Sequence, residues 1–187
     1  ELMLRLAVTD PSVDVQAAAL ANLTDSVADN LDPDDDEPFL DGFGSFVARV
    51  AGQDDAPFAV RVRAIEALGV LPQSIETRAL INSAWEHGDS ALAVAALLAI
   101  ARSRESRWLS LVRPELTSED AEIRFAAVRA LGGAGTTDDV EALATSLVDD
   151  DVDVRLAAIA ALGEIAGPGA VRVLRNYDQR APEDEKA

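Results

Sequence analysis

The residues best placed to do chemistry in this sequence are three alternating aspartates, Asp32, Asp34 and Asp36. Alternating carboxylates open one common type of calcium-binding loop, in which every second position supplies an oxygen ligand. Later positions depart from that pattern, because the sixth is Glu37 instead of glycine and the twelfth is Phe43 instead of glutamate. The sequence therefore favours a solvated acidic loop. Weak binding of a divalent cation at these three aspartates stays open, because unpaired like charges repel one another.

Nucleophilic and acid–base catalysis need residues that this chain largely lacks. It has no cysteine, and its one histidine, His87, falls in a predicted turn. No serine stands in a Gly-x-Ser-x-Gly motif. A catalytic triad, a cysteine nucleophile, a thiolate zinc site and a disulfide framework are all disfavoured by this composition. We therefore predict no catalytic residue, no cofactor and no enzymatic activity.

Two glycine-rich segments, 132–135 and 167–169, could suggest phosphate binding. Phosphate loops of this kind follow a strand and precede Lys-Ser or Lys-Thr, and neither segment meets these conditions. Both segments lie where helical patterns stop. The sequence predicts helix ends at both places.

One basic patch surrounds Trp108, with Glu105 as the single opposing charge. Its members are Arg102, Arg104, Arg107 and Arg113. We favour a solvated turn in which these arginines pair with neighbouring acids. The alternative is an anchor for an acidic peptide or a phosphate group, because a guanidinium binds such groups through two donors. Trp85 and Trp108 are expected to pack in the core or between units.

The overall charge is strongly negative, with 34 acidic against 16 basic residues and a formal net charge of −18. Such a charge repels phosphate, and no basic stripe runs along the chain, so we predict no nucleic-acid partner. No apolar run reaches the length of a membrane span, so we predict no membrane partner. The absence of cysteine fits a reducing compartment and is equally compatible with an oxidising one, and we predict a cytoplasmic location. The first residue, Glu1, suggests a processed chain or a piece of a larger one.

A repeated phrase specifies the elements that position these residues. It reads V-R-x-A-A-x-x-A-L-G at residues 154–163, and other copies begin at residues 15, 60, 92 and 123. The starts are separated by 45, 32, 31 and 31 residues. A helical period of this size is typical of stacked helical hairpins. We predict an all-α fold, an α-solenoid of about five hairpins forming a single domain over residues 1–179. An acidic insertion at 29–38 would separate two helices, and 180–187 would be a disordered tail.

The repeated phrase, preceded by an acidic residue in the turn, resembles a HEAT repeat. The short period is similar to the HEAT-like repeats of the phycobilisome-lyase type, and the resemblance covers residues 2–176. It implies a right-handed superhelix and a ladder of turn aspartates and second-helix arginines linking neighbouring units. A six-residue spacing gives Asp55 with Arg61 and Asp149 with Arg155. The remaining turns depart from this spacing, with the pairs Ser118 and Arg124, Asp10 and Gln16, and His87 and Ala93.

The second helix of each hairpin should have a buried face and an exposed, concave face. The positions of Val154, Ala158, Ala161 and Leu162 form one apolar side and are predicted core positions. The positions matching Ala157 and Ala160 are predicted to be exposed. Those matching Ala157 are Ala18, Arg63, Ala95 and Ala126. Those matching Ala160 are Ala21, Glu66, Leu98 and Arg129.

We therefore predict a non-catalytic scaffold or adaptor that binds a partner protein along the concave face of its second helices. Small exposed side chains leave room there for a partner helix. The candidate partner-binding residues are Arg63, Glu66, Leu98, Arg102 and Arg129. The alternatives are an enzyme-associated subunit or chaperone resembling bilin-lyase HEAT proteins, and a structural spacer within a larger chain.

The acidic, lysine-poor composition itself makes a testable prediction. It fits either adaptation to high salt, where self-repulsion is screened, or a codon bias towards arginine and aspartate. Under the first interpretation, the melting temperature followed by circular dichroism climbs steeply between low and molar salt. A flat response would leave only the compositional bias.

Overall fold

The computed structural model describes residues 2–30 and 37–179, and within these ranges every regular element is helical. The predicted all-α class is confirmed. No helix of the described residues is both long enough and apolar enough to cross a membrane. Asp32, Asp34, Asp36 and the predicted tail at 180–187 lie outside the described residues. The helices are α1 (Leu2–Thr9), α2 (Val13–Asn30), α3 (Glu37–Ala51), α4 (Phe58–Ala67), α5 (Ile75–His87), α6 (Ser90–Ser103), α7 (Leu109–Glu115), α8 (Ala121–Ala134), α9 (Val140–Ser146), α10 (Val152–Ile165) and α11 (Gly167–Asp178).

The chain divides into two compact units, Glu1–Ala99 and Ile100–Ala187. In the first unit α1 packs on α2, α2 on α4, and α3 on both α4 and α5. In the second unit α7 packs on α8, α8 on α10, and α10 on both α9 and α11. The odd-numbered helices are thus the first helices of hairpins and the even-numbered ones the second helices. The prediction of one domain over residues 1–179 stays a prediction.

Acidic turn residues start the second helices by capping them. The Asp151 carboxylate accepts hydrogen bonds from the main-chain N–H of Asp153 (2.9 Å) and Val154 (3.2 Å) at the start of α10. Asp120 accepts one from Glu122 N–H (2.9 Å) at the start of α8. These bonds satisfy donors that have no partner inside the helix. Asp151 is therefore the N-cap residue of α10.

The predicted core face of the second helices is confirmed in α10. Val154, Ala158, Ala161 and Leu162 are all at most 2% exposed. The core of the second unit is therefore built from the repeated phrase itself, with alanines allowing neighbouring helices to approach closely.

The prediction that Ala157 and its equivalents are exposed is wrong for three hairpins. Ala157 is 5% exposed, and Ala95 and Ala126 are fully buried. Ala157 lies one helical turn before Ala161, on the side of α10 that faces α8. A second helix that packs on several neighbouring helices exposes only a narrow stripe of its surface to solvent. The apolar pattern of one helix alone predicts a wider exposed face than the structure has. Only Ala18 and Arg63 are exposed at this position.

Glycines 132 and 133 lie inside α8, so the prediction that the whole segment 132–135 marks a helix end is corrected. A Cβ on Gly132 would lie 2.8 Å from the Ala161 Cβ, and one on Gly133 would lie 2.2 Å from the Ala101 carbonyl oxygen. Both distances are too short for a Cβ atom. Glycine at these two positions therefore allows α8 to approach its neighbouring helices closely. Gly135 does end α8, as predicted. The segment 167–169 instead forms the first turn of α11, with Gly167 at φ +86°, so the helix end predicted there is corrected to a helix start.

Truncating the fully buried Leu131 or Leu162 to alanine should lower the free energy of unfolding by about 2–5 kcal/mol, because each change leaves a cavity. Chemical denaturation measures the loss. Leu156→Ala, at a 46% exposed position of the same helix as Leu162, is the control and should cost much less. Equal losses in all three variants would contradict this description of the core.

Candidate partner-binding surface

Arg124 joins two successive hairpins of the second unit. Its Nη1 donates to the carbonyl oxygens of Ser118 (2.8 Å) and Glu119 (3.2 Å) in its own turn. Its Nε and Nη2 donate to the two carboxylate oxygens of Asp149 in the next turn, at 2.8 and 2.9 Å. Both side chains are largely covered, so this bidentate, charge-assisted contact is a structural strut.

The predicted pairing of Asp149 with Arg155 is corrected by this geometry. Arg155 Nη1 donates to the main-chain oxygens of Asp149 (2.8 Å) and Asp150 (3.1 Å), whereas the Asp149 carboxylate is held by Arg124. A spacing of six residues places the guanidinium beside the backbone of its own turn. The carboxylate of that turn is then left for the arginine of the preceding hairpin.

In the first unit the corresponding contacts differ. Arg61 pairs with Asp54 (2.9 Å) instead of the predicted Asp55. Gln16 donates from Nε2 to the Asp10 carbonyl oxygen (2.6 Å), which is the contact that Arg124 and Arg155 make in the second unit. The departure from the arginine pattern at residue 16 therefore keeps the hydrogen bond to the turn backbone and gives up the charge.

A second strut, between first helices, was not predicted. Arg113 in α7 donates from Nε to Asp139 (2.7 Å), and Asp139 is only 3% exposed. The same carboxylate accepts from Thr136 N–H (2.9 Å) in a capping box before α9. The signal was present in the sequence as threonine followed three residues later by an acid, which is typical of helix starts.

These struts lower the pKa of both aspartates. Burial acts to raise the pKa of Asp139, but the hydrogen bonds from Arg113 and Thr136 outweigh it and the pKa falls below its ordinary value. The hydrogen bond from Arg124 is the main cause of the lowered pKa of Asp149. A carboxylate with a lowered pKa stabilises the fold above about pH 4 and loses that effect as the pH falls.

The basic patch around Trp108 is paired with acids, in agreement with the favoured interpretation. Arg104 contacts Glu164 (3.3 Å), Arg107 forms an ion pair with Glu105, and Arg113 is the strut already described. Trp108 itself is buried. Arg104, Arg107 and Arg113 are thus bound to the protein's own carboxylates.

The five predicted partner-binding residues lie on second helices, in different surroundings. In the first unit Arg63 and Glu66 form an ion pair along α4 (2.8 Å). On α6, Leu98 is half-buried and Arg102 is exposed one turn later. In the second unit Arg129 is exposed on α8, and no described residue forms a hydrogen bond or ion pair with its side chain. Arg129 is therefore not explained by internal packing.

No constellation for metal chemistry is present in the described part of the chain. Groups of three or more histidine, aspartate or glutamate side chains able to hold a metal are absent from residues 2–30 and 37–179. His87 lies exposed at the end of α5. The histidine thus has the surroundings expected for a solvated turn residue.

Stacked hairpins linked by turn struts define a helical-repeat protein. Residues 109–186 match the family model of HEAT repeats, and over this part the chain is similar to that family. A search of curated proteins gives no sequence match.

Two solved structures are similar in fold. One is an engineered protein, at 18% identity with TM-score 0.55, covering 96% of this chain and 86% of the other. The other is a chain of the complex of CpcE and CpcF of phycocyanin lyase from Nostoc sp., at 14% identity with TM-score 0.59, covering 98% and 71%. At these identities the likeness shows the fold, which is an α-solenoid of HEAT-like repeats.

The Asp149 strut predicts a specific pH dependence. Asp149→Asn should lower the free energy of unfolding at neutral pH by about 1–3 kcal/mol, because it weakens a charged, partly buried hydrogen bond. The difference from the unaltered chain should shrink as the pH falls below about 4, because the carboxylate is protonated first in the unfolded state and only at lower pH in the folded state. Urea denaturation at several pH values measures this.

Asp150→Asn is the matched control, because the side chain of this neighbouring aspartate is exposed. Only the main-chain carbonyl oxygen of Asp150 contacts Arg155, and the substitution keeps it. Equal losses for the two variants, or a pH-independent gap for Asp149→Asn, would contradict a strut through the carboxylate.

Proposed function

We propose that this chain is a non-catalytic protein-interaction scaffold or adaptor whose partner contacts the exposed residues of its second helices. HEAT repeats are generally protein-interaction scaffolds. The observation that carries the finer proposal is the contrast between Arg129 and the strut arginines. Arg113 and Arg124 are bound to internal carboxylates, whereas Arg129 is exposed without such a partner in the described structure.

The chemistry around Arg129 favours an acidic, slender partner segment. The equivalent position on the next second helix is Ala160, which is also exposed. Arg129 therefore has a small side chain beside it, which leaves space for a partner segment. A helix or extended peptide with one carboxylate could approach closely and form a bidentate ion pair there. In the first unit Arg63 and Glu66 offer both signs of charge from one helix. Leu98 and Arg102 add an apolar and a basic contact on α6.

Charge reversal on second helices tests this proposal. Affinity capture from the source cells compares the unaltered chain with Arg129→Glu and with the double variant Arg63→Glu/Arg129→Glu. The control is Arg172→Glu, an equal charge change at an exposed position of α11. We expect a protein retained by the unaltered chain and the control but lost from both second-helix variants. Identical captured proteins for all four chains would overturn the placement of the site.

An enzyme-associated subunit is the second candidate, favoured by the fold likeness to a chain of the phycocyanin lyase complex. In that role the chain would hold a pigment-bearing protein while another subunit acts on it. The chain has no cysteine, so a thioether-linked pigment on this polypeptide is excluded. A visible absorption spectrum of the protein purified from its source would detect a bound pigment, and a colourless protein would count against this role.

A further inference from the structure

One face of α8 stays open although α8 has a neighbouring helix on either side. A Cβ on Gly133 would lie 2.2 Å from the Ala101 carbonyl oxygen at the end of α6, and one on Gly132 would lie 2.8 Å from the Ala161 Cβ in α10. Arg129 is nonetheless exposed. The face that carries Arg129 is therefore one that the stacking of hairpins leaves open to solvent.

Helix α10 packs on α8 and presents the same face beside it. Ala160 is equivalent to Arg129, Glu164 is equivalent to Gly133, and both are exposed. Arg129 and Gly133 are four residues apart, as are Ala160 and Glu164, so each pair lies on one side of its helix. The two helices thus share one open face with a cation on α8 and a small side chain next to it.

An ion pair spans this face at the level of Gly133. Arg104, just after the end of α6, donates from Nη2 to Glu164 Oε2 in α10 at 3.3 Å. Gly133 stands in α8 between the two and has no side chain that could obstruct them. A second guanidinium is thereby brought to the face that carries Arg129, about one helical turn further along.

The contact of Arg104 with Glu164 differs from the struts in its exposure to water. The carboxylates that hold the strut arginines are covered, with side-chain exposures of 3% for Asp139 and 12% for Asp149. The side chains of Arg104 and Glu164 are 69% and 41% exposed. An ion pair as exposed as this adds little to stability, so Arg104 can exchange Glu164 for another carboxylate at little cost.

Building on the proposed scaffold function, on which this inference rests, we propose that an acidic α-helix of a partner protein binds this face and that Glu164 competes with it for Arg104. We define the arginine site by Phe125, Arg129, Ala160, Arg104 and Glu164. One carboxylate of the partner helix pairs with Arg129. A second, one turn along, displaces Glu164 from Arg104. An aliphatic side chain one turn in the other direction contacts Phe125, which is half-buried.

Charge and space select a helix with acidic residues on one face. Arginine binds a carboxylate through two donors, and the small residues Ala160 and Gly133 leave room for a helix to approach. A nucleic acid carries phosphate along its whole length and is repelled by the net charge of −18. A helix avoids that repulsion, because its other faces can be neutral or basic.

The test uses a helical peptide of defined sequence as the probe. It is fluorescein-labelled, alanine-based and about 18 residues long, which is enough for partial helix formation in water. One face carries leucine, glutamate and glutamate at successive four-residue spacing, and the opposite face carries lysines. It is made in this order and in the reverse order, because a partner helix can run in either direction. A matched peptide has glutamine in place of both glutamates.

Fluorescence anisotropy at low salt should show binding of the glutamate peptide in one of its two orders and none of the glutamine peptide. Arg129→Gln and Arg104→Gln should each weaken binding about two- to fivefold, because each removes one ion pair. Glu164→Gln should tighten binding about two- to fivefold, because Arg104 is then free for the peptide. The exposed residues Arg172 and Glu141 supply the controls, and Arg172→Gln and Glu141→Gln should change affinity little.

Glu164→Gln is the decisive variant, because an ion pair with a merely structural role would not weaken the binding of a peptide. Affinity no higher than that of Glu141→Gln would overturn the proposal, as would unchanged affinity in Arg104→Gln. So would equal binding of the glutamine peptide, no binding of either glutamate peptide, or tighter binding of a labelled oligonucleotide. A captured protein that is lost with Arg129→Glu would still support the scaffold function in each of these cases, so the two failures are distinguishable.

Discussion

The close approach of consecutive second helices is the constraint on which the second unit depends. Where α8 meets α10, Gly132 lies against Ala161 at a separation that leaves no space for a Cβ on the glycine. Helices packed this closely need small residues at the contact and aliphatic residues on its flanks. That requirement explains a composition rich in alanine, leucine and valine, with aromatic residues at only 4%. It also explains why Ala126 and Ala157 are buried.

Close packing alone would let hairpins slide past one another, and the arginine struts fix their offset. Arg124 contacts two turns at once, because Nη1 serves its own turn while Nε and Nη2 serve the carboxylate of the next. A lysine has one nitrogen and could not hold this geometry. The ion pair of Arg113 with Asp139 likewise fixes the offset between the first helices α7 and α9. The hairpin of α7 and α8 is thereby held to the hairpin of α9 and α10 along both of its helices.

Sequence reasoning predicted features that belong to one helix and was wrong about features that belong to two hairpins. The phrase period located the hairpins, and Val154 and Leu162 are core residues as predicted. The partner of Asp149 could not be predicted from a six-residue spacing, because its carboxylate faces the hairpin before it. Asp139 was missed because its role depends on Arg113, 26 residues away. The partner-binding residues remain a prediction for the same reason, since they depend on a second molecule.

Repetition has a consequence at the last hairpin. In every hairpin with the repeated phrase, the second helix has one face that can pack on the preceding second helix and another that can pack on a following one. The phrase specifies both faces whether or not a following helix is present. Asn22 in α2 interrupts the small-residue pattern at the first hairpin and gives that helix a polar exposed position. The last complete hairpin keeps the pattern, with Gly163 and Leu156 uncovered. Gly132 has Ala161 against it, whereas a Cβ on Gly163 would meet nothing within 4 Å, so the same position of the phrase is buried or exposed according to whether a second helix is packed beside it.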